Sequence, residues 1–210
     1  MHLLITAGPT HEAIDPVRFI SNRSSGKMGF ALAEAAIAAG HEVTLIAGPV
    51  QLPTPEGVTR IDVTSAADMF DAVERTLNDH PIGCAILCAA VADFTPATTA
   101  GQKIKKTGKD KMTIELVPTK DILGSMRDPL GFNGTLVGFA AETTDVLTYA
   151  SDKLTRKRCD FIVANDVSQP GIGFDSNDNA VTVLGKDGSQ WSASGSKRDL
   201  ATRVIATVAG

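Results

Sequence analysis

Short apolar runs without polar alternation recur along this chain of 210 residues and are separated by longer helical patterns. Such runs are typical of strands buried on both faces, so the pattern predicts a parallel sheet with helices on both sides. We therefore expect an α/β, Rossmann-like, doubly wound and mostly parallel fold, formed by a single domain over residues 1–210. The expected strands cover residues 2–7, 42–48, 58–63, 83–94, 112–117, 135–141 and 160–165.

The helices are predicted from their periodicity and from their caps. Ser65 with Asp68, and Ser196 with Asp199, have the spacing of capping boxes. A terminal β-hairpin is expected to turn at Asp187-Gly188. The expected helices cover residues 29–40, 65 to about 77, a short stretch opened by Thr119, 144–158, and a last helix after Ser196; the hairpin covers residues 180–194.

Composition and charge exclude several classes of function. The chain is 43% hydrophobic and 21% charged, with a net charge of −4, which is typical of a globular protein and argues against general binding to nucleic acid or an anionic membrane. The N-terminal apolar run is too short for a signal peptide, and no segment reaches the roughly 20 residues of a membrane span. We expect a cytoplasmic protein.

The three cysteines indicate neither a disulfide framework nor a zinc site, because their number is odd and no CxxC pair is present. Cys84 and Cys88 are expected on one face of a strand, as buried thiols in a reducing compartment.

In doubly wound folds, ligands bind beyond the carboxyl ends of the parallel strands. Glycine or polar residues follow five of the expected strands: Gly8-Pro9-Thr10, Gly48-Pro49, Asp93-Phe94, Glu142-Thr143 and Asn165-Asp166. Each site alone fits an ordinary turn. Their convergence favours a ligand site.

The stretch "SNRSSGKMG", residues 21–29, resembles a phosphate loop without matching one. The P-loop spacing is absent because Met28 follows Gly26-Lys27, and the first strand is followed by "GPTHEA" rather than GxGxxG. A helix beginning near Ser25 offers free N–H groups to an anion, while Ser24 can cap the same helix. The two interpretations are compatible.

A lysine-rich stretch, "KIKKTGKDK", places lysines at 103, 105, 106, 109 and 111 between glycines. Mutual repulsion of these cations predicts a mobile segment. A solvated surface loop is the ordinary interpretation. Because the rest of the chain is acidic and the stretch follows Asp93, we favour a lid that closes over an anionic substrate.

These motifs together resemble one family. "TAGPTHEAIDPVRFISNRSSGKMG", "AAVADF", "KIKK", "GFAAET", "ANDVSQPGIGF" and "SNDN" are similar to the bacterial form of phosphopantothenate–cysteine ligase, and the resemblance covers nearly the whole chain. It implies an enzyme of coenzyme A biosynthesis that uses CTP and Mg²⁺ to convert 4′-phosphopantothenate into an acyl-cytidylate, with release of pyrophosphate. L-cysteine then displaces CMP to form the amide.

The resemblance also implies roles for individual residues. Asn22 would stabilise the oxyanion when cysteine attacks, Lys103 would reach the phosphates from the lid, and Arg18 would support the loop or the substrate. Mg²⁺ would be held largely by the triphosphate and water, so no metal ligand is assigned. The residues expected to bind CTP are Ser24, Ser25, Gly26, Cys88, Ala89, Ala90, Asp93, Lys103, Thr119, Lys120, Asp121, Ile122, Phe139, Lys153 and Lys157.

Two further features follow from the resemblance. Many relatives have Asn-Pro-Asp-Ile where this chain has "TKDI", residues 119–122; Thr119 can still cap a helix, and Asp121 is retained. Relatives are homodimers and are often fused to a flavin-dependent phosphopantothenoylcysteine decarboxylase, so the chain is either a stand-alone ligase or one half of a bifunctional protein. Trp191 and the "AVTVL" strand either face a partner or pack on their own sheet.

Two other functions share the expected fold. An NAD(P)-dependent reductase would need the missing fingerprint and a ribose-binding acid after the second strand. A non-catalytic nucleotide sensor would have no use for a five-lysine lid.

Overall fold

The computed structural model describes residues 1–106, 108, 111–142, 145–166 and 176–210, and within the described helices and strands the side chains of Glu142, Val146 and Asp166 are excepted. Twelve strands and five helices occur in these residues. Their bounds are β1 His2–Ala7, β2 His11–Asp15, β3 Arg18–Ser21, α1 Lys27–Ala38, β4 Glu42–Ala47, β5 Thr59–Asp62, α2 Ala66–Asp79, β6 Ile82–Leu87, β7 Phe94–Pro96, β8 Leu116–Pro118, α3 Ile122–Ser125, β9 Thr135–Glu142, α4 Val146–Arg156, β10 Phe161–Asp166, β11 Asp178–Gly185, β12 Gln190–Ser196 and α5 Lys197–Val208.

The central sheet has eight strands in the order β12-β11-β10-β9-β6-β1-β4-β5. The six strands from β10 to β5 are parallel, whereas β11 and β12 form the antiparallel hairpin at the end of the chain. The predicted doubly wound α/β fold is thus confirmed. After β1 the chain adds β4 and β5 on one side, and it then returns to add β6 on the other side.

Two apolar cores lie on opposite faces of this sheet. Residues of β1 alternate between them, with Leu3 and Ile5 in the core under α1 and α5, and Leu4 in the core under α2 and α4. The alternation explains why residues 3–5 are apolar in succession, since neither face of the strand meets water.

Gly29 determines how closely α1 approaches the sheet. A Cβ atom at this position would lie 2.5 Å from the Cβ of Ala7, which is closer than van der Waals contact permits. The preceding Gly26 is the N-cap and has φ of 77°, in the left-handed region that glycine adopts at no steric cost. These two glycines bring the N-terminus of α1 against the carboxyl end of β1.

Several predicted boundaries are wrong. The strand expected at 83–94 ends at Leu87. Cys88 and Ala90 still donate their N–H groups to Thr6 O (3.2 Å) and Gly8 O (2.9 Å), but Ala89 N–H donates to the side chain of Thr6 (3.2 Å to Oγ1). The chain then enters a separate two-stranded sheet, in which only the last residues of the strand expected at 112–117 take part.

Three further expectations concern helix starts and loops. Thr119 does not open the short helix; Asp121 does, by accepting from Gly124 N–H (2.9 Å). Ser24 does not cap α1, since the cap is Gly26. The segment 11–21, which lies in none of the expected strands or helices, is the β2–β3 hairpin.

The predicted caps of two helices are confirmed. Ser65 and Asp68 form a reciprocal capping box at α2, and Ser196 Oγ accepts from the N–H of Asp199 at α5. At α2 a distant side chain adds to the cap, since the buried Glu12 carboxylate accepts from Ala66 N–H (2.8 Å). The β2–β3 hairpin is therefore attached to the first turn of α2, where a negative charge also interacts favourably with the helix dipole.

The terminal hairpin packs on its own sheet. Val181 and Val183 are buried in the core shared with α5, and the Trp191 ring lies half-buried under the Arg203 guanidinium, 4.0 Å from its centroid. In the described part of the chain, no helix combines the length and apolar character needed to cross a membrane.

Acid should destabilise the protein through His2. Its ring is buried and Nε2 lies 2.9 Å from Thr44 Oγ1; burial lowers the pKa of His2, although Glu42 opposes the shift. The unfolded chain therefore binds a proton more readily, and the free energy of unfolding should fall as pH drops through about 6.5. Urea unfolding of His2→Gln between pH 7 and pH 5 should show a smaller loss than the wild-type chain.

The matched control for that measurement is His41→Gln, at a more exposed histidine near the same end of the sheet. It should retain the wild-type pH dependence. Equal slopes in the two variants would show that His2 is not the titrating group.

Candidate functional site

A cavity of about 670 Å³ opens at the carboxyl ends of the parallel strands. It lies where the strand order reverses between β1 and β6, the position at which doubly wound folds bind ligands. Its lining comprises Thr6, Gly8, Asn22, Ser24, Ser25, Gly26, Lys27, Met28, Gly29, Leu87, Cys88, Ala89, Ala90, Val91, Asp93, Thr119, Lys120, Asp121, Ile122, Leu123, Phe139, Ala141, Lys153, Arg156, Lys157, Asn165, Asn179 and Lys197.

The N-terminus of α1 forms one wall. Its cap, Gly26, has no side chain that could accept a hydrogen bond, and the backbone of residues 24–29 lines the cavity. Helix N-termini bind anions through their N–H groups and the positive end of the dipole. This wall is suited to a phosphate.

The loop from Cys88 to Asp93 forms the floor, and its backbone is held by hydroxyl groups. Besides the bond from Ala89 to Thr6, Ala92 N–H donates to Thr10 Oγ1 (3.0 Å), and the Thr119 hydroxyl donates to Ala92 O (2.6 Å). Each bond contributes on the order of 1 kcal/mol net. The floor is thus rigid although it belongs to no strand.

Asn22 lies at the edge of this floor. It is exposed, and its amide Nδ2 donates to the carbonyl oxygen of Ala90 (2.9 Å). The contact uses one of the two amide hydrogens and fixes the orientation of the group. A neutral donor is held in this way beside the methyl side chains of Ala89 and Ala90.

Cations outnumber carboxylates in the lining. Lys27, Lys120, Lys153, Arg156, Lys157 and Lys197 line the cavity, together with two carboxylates, Asp93 and Asp121. The net charge of the whole chain is −4, so this excess of positive charge is confined to the cavity. The positive potential that it creates attracts a multiply charged anion.

Most of these cations have defined positions. Lys153 Nζ donates to Phe139 O (2.7 Å), Lys157 forms an ion pair with Asp121, and Lys120 Nζ lies over the Phe70 ring, 4.3 Å from its centroid. On the opposite side, Lys27 Nζ donates to Asn177 Oδ1 (2.9 Å), and Lys197 Nζ donates to Ser176 O (2.7 Å). The first group flanks the cavity from the end of α4 and from the turn before α3, and the second from the starts of α1 and α5.

The structure brings together nearly all of the residues predicted from the sequence. Those that line the cavity are Asn22, Ser24, Ser25, Gly26, Cys88, Ala89, Ala90, Asp93, Thr119, Lys120, Asp121, Ile122, Phe139, Lys153 and Lys157. Two lie elsewhere. Lys103 is exposed outside the lining, and Arg18 forms an ion pair with Asp15 and donates to Ile104 O.

The predicted lid lies partly outside the described residues. Thr107, Lys109 and Asp110 lie outside the described residues, as do residues 167–174 of the "ANDVSQPGIGF" motif. Of the residues predicted at the strand ends, Gly8, Asp93 and Asn165 line the cavity in the structure, whereas Gly48 and Pro49 do not.

The sequence analysis did not predict that the cations Lys27, Arg156 and Lys197 line the site. It also did not predict the contact between the side-chain amides of Asn165 and Asn179. Asn179 is buried and its Nδ2 donates to Asn165 Oδ1 (3.2 Å). Lys27 was visible within the "SNRSSGKMG" stretch. Lys197 carried no local signal, because it reaches the site only when α5 packs beside α1.

No group of three or more His, Cys, Asp or Glu side chains suited to a metal ion occurs among the residues whose positions are described. Asp121 is already paired with Lys157. A divalent cation at this site would therefore need most of its ligands from the bound molecule and from water.

The fold and the cationic cavity together are typical of nucleotide-binding α/β domains. The chain belongs to the family described as the DNA/pantothenate metabolism flavoprotein C-terminal domain, whose model matches residues 1–210.

The chain is similar to bifunctional coenzyme A biosynthesis proteins. It is 55% identical over 204 residues to the Coenzyme A biosynthesis bifunctional protein CoaBC of Vibrio cholerae serotype O1, covering 97% of this chain and 51% of that protein. It is 50% identical over 192 residues to the protein of the same name from Escherichia coli strain K12, covering 90% and 47%. The chain thus spans about half the length of these relatives.

A solved structure matches over a larger share of its own length. It is the crystal structure of the C-terminal domain of Coenzyme A biosynthesis bifunctional protein CoaBC, which is 40% identical with a TM-score of 0.82. The match covers 99% of this chain and 93% of that chain.

The thiols should be unreactive in the folded protein. Burial raises the pKa of Cys84 and Cys88 to about 12 and that of Cys159 to about 11, so all three are protonated at neutral pH. We expect mass spectrometry to detect almost no alkylation by iodoacetamide at pH 7.5 in the native state, and three adducts in guanidinium. Rapid labelling of Cys88 in the native protein would contradict this assignment and would make the cavity thiol a candidate nucleophile.

Proposed function

We propose that this chain is a phosphopantothenate–cysteine ligase domain of coenzyme A biosynthesis, formed by residues 1–210. The observation that carries the proposal is the family match along the whole chain, supported by relatives 50–55% identical that are named for coenzyme A biosynthesis. The cationic cavity at the strand ends supports an anionic nucleotide and a phosphorylated acid as ligands.

The proposed reaction has two steps. The carboxylate of 4′-phosphopantothenate attacks the α-phosphorus of CTP, and the bond between the α-phosphorus and the bridging oxygen breaks to release pyrophosphate. The amine of L-cysteine then attacks the acyl carbon, loses a proton, and expels CMP as the amide forms. Mg²⁺ would neutralise the triphosphate, held by its oxygens and by water.

The nucleotide would bind between two groups of residues. The N-terminus of α1 at Ser24, Ser25 and Gly26 would receive a phosphate, as helix N-termini do. The opposite wall, with Phe139, Lys153 and Lys157, would contact the remainder of the nucleotide. The proposed CTP contacts further include Cys88, Ala89, Ala90, Asp93, Lys103, Thr119, Lys120, Asp121 and Ile122.

Asn22 is the proposed oxyanion donor. Its amide is oriented by Ala90 O, which leaves the second hydrogen for the tetrahedral oxyanion of the cysteine step. Lys103 would stabilise the charge that develops on the β- and γ-phosphates as pyrophosphate leaves. Arg18 would act by supporting the segment that carries Lys103.

We further propose that the protein is a homodimer and that its partners include a phosphopantothenoylcysteine decarboxylase, fused or separate. Large apolar side chains are exposed on the β2–β3 hairpin, on the β7–β8 sheet and on the loop between β7 and β8. They are Val17, Phe19, Phe94, Ile104, Met112, Leu116 and Val117. Such a concentration is typical of a protein interface. A cytoplasmic location fits the three free thiols.

The activity can be tested directly. Purified protein incubated with 4′-phosphopantothenate, cysteine, Mg²⁺ and CTP should release pyrophosphate and form a cysteine-containing amide detectable by mass spectrometry. ATP in place of CTP should give much less product. Absence of the amide with every nucleoside triphosphate would refute the ligase assignment, whereas equal rates with ATP would refute only the CTP preference.

Asn22→Asp should separate the two steps. It conserves size but places a carboxylate where an oxyanion develops, and loss of one such donor costs about 10²–10³ in rate. The acyl-cytidylate should still form and should persist after cysteine is added, as followed by mass spectrometry. If the variant accumulates no intermediate, Asn22 acts in the first step.

A further inference from the structure

Asp15 lies under the lysine-rich segment, outside the cavity, and has an unusually complete set of donors. Its side chain is fully buried beside an Arg18 that is 42% exposed. Oδ1 accepts from the N–H groups of Val17 (2.9 Å) and Arg18 (3.0 Å). Oδ2 accepts from Arg18 Nη2 (2.5 Å), Arg18 Nε (3.1 Å) and Ile104 N–H (3.1 Å).

The two carboxylate oxygens therefore have different functions. Oδ1 shapes the turn of the β2–β3 hairpin within its own sequence neighbourhood, as Asp side chains commonly do. Oδ2 binds a residue 89 positions away. Arg18 completes the second contact, because Nη2 also donates to Ile104 O (3.0 Å).

Both backbone groups of Ile104 are thus held, although Ile104 belongs to no helix or strand. The preceding residues follow the same hairpin, with Ala100 N–H donating to Ile14 O (3.0 Å) and the Thr99 hydroxyl donating to Ala13 O (3.1 Å). Lys103 lies in the chain between Ala100 and Ile104, whose backbone groups are both hydrogen-bonded to the hairpin. Its side chain starts from a defined backbone position despite its exposure.

We propose that Asp15 is a positioning residue for Lys103. Together with Arg18 it fixes the backbone of Ile104 and thereby the point from which the Lys103 ammonium reaches the departing pyrophosphate. This inference rests on the proposed function for the role of Lys103, whereas the attachment of Ile104 is a property of the free protein.

Arg18 ensures that the carboxylate stays charged. Its guanidinium lowers the pKa of Asp15 well below the usual range, although burial opposes the shift. The attachment is therefore constant across the pH range in which an enzyme of this kind would be assayed.

Asp15→Asn is the sharpest variant. The asparagine oxygen can still accept from Val17 and Arg18 and preserve the turn, while its NH₂ group replaces Oδ2 and faces the N–H of Ile104, a donor against a donor. The matched control is Asp62→Asn, which makes the same change on β5 at an exposed carboxylate paired with a half-buried arginine (2.7 Å to Arg60 Nε).

The first measurement is hydrogen exchange of the Ile104 amide in the free protein. Exchange should accelerate at least tenfold in Asp15→Asn and remain unchanged in Asp62→Asn, since a local opening needs only the loss of its protecting bond. Arg18→Lys, which replaces the fork by a single ammonium, should also accelerate it. Unchanged exchange in both Asp15→Asn and Arg18→Lys would overturn the proposal.

The second measurement is a double-mutant cycle on pyrophosphate release without cysteine. Asp15→Asn should slow this step about 10- to 100-fold, because misplacement by about 1 Å can cost about 10² in rate. In a Lys103→Gln background the same change should have an effect below about twofold, since residues that act through each other are not additive.

A merely structural role would give a different result. Asp15→Asn would then lower activity by the same factor with and without Lys103, and that outcome would overturn the proposal. Failure of the proposed function is distinguishable, because the wild-type protein would release no pyrophosphate while the exchange measurement would still report on Ile104.

Discussion

The cavity depends on how the chain leaves the sheet after Leu87. When a parallel strand ends early, backbone amides that follow it lack a partner in the neighbouring strand. Each such N–H, if it stays buried and unpaired, costs about 1–3 kcal/mol. Threonine hydroxyls from the adjoining segments accept the N–H groups of Ala89 and Ala92, and the Thr119 hydroxyl donates to Ala92 O. The loop can therefore turn away from the ladder, and it becomes the floor of the site.

The small hairpin β2–β3 links several parts of the molecule that are distant in sequence. Glu12 on it caps α2, Asp15 and Arg18 hold Ile104, and Asn22 just beyond it contacts the cavity floor. The segment 11–22, twelve residues long, thus touches a helix, the lysine-rich stretch and the site. This arrangement explains how Arg18 can belong to the motif that includes Asn22 and yet lie outside the cavity: it supports the lysine-rich stretch beside it.

The sequence predicted the large sheet well because its strands are buried on both faces, and this produces apolar runs that are visible without tertiary knowledge. It missed the β2–β3 hairpin, whose residues mix charged and apolar side chains and whose docking depends on Glu12 reaching Ala66, 54 positions away. Lys197 was missed for the same reason. Thr119 was taken for a helix cap because its hydroxyl suits that function, but in the fold the hydroxyl serves Ala92 instead.

The buried thiols have a consequence for the environment in which the domain works. The proposed amine substrate is itself a thiol, and its oxidation would give a disulfide, cystine. Exchange with a disulfide requires a thiolate on the attacking side. With the pKa of Cys88 raised to about 12 in the cavity, and those of Cys84 and Cys159 raised in the cores, the chain offers almost no thiolate to attack cystine. Protonation of Cys88 would therefore disfavour a mixed disulfide between the cavity and the proposed substrate.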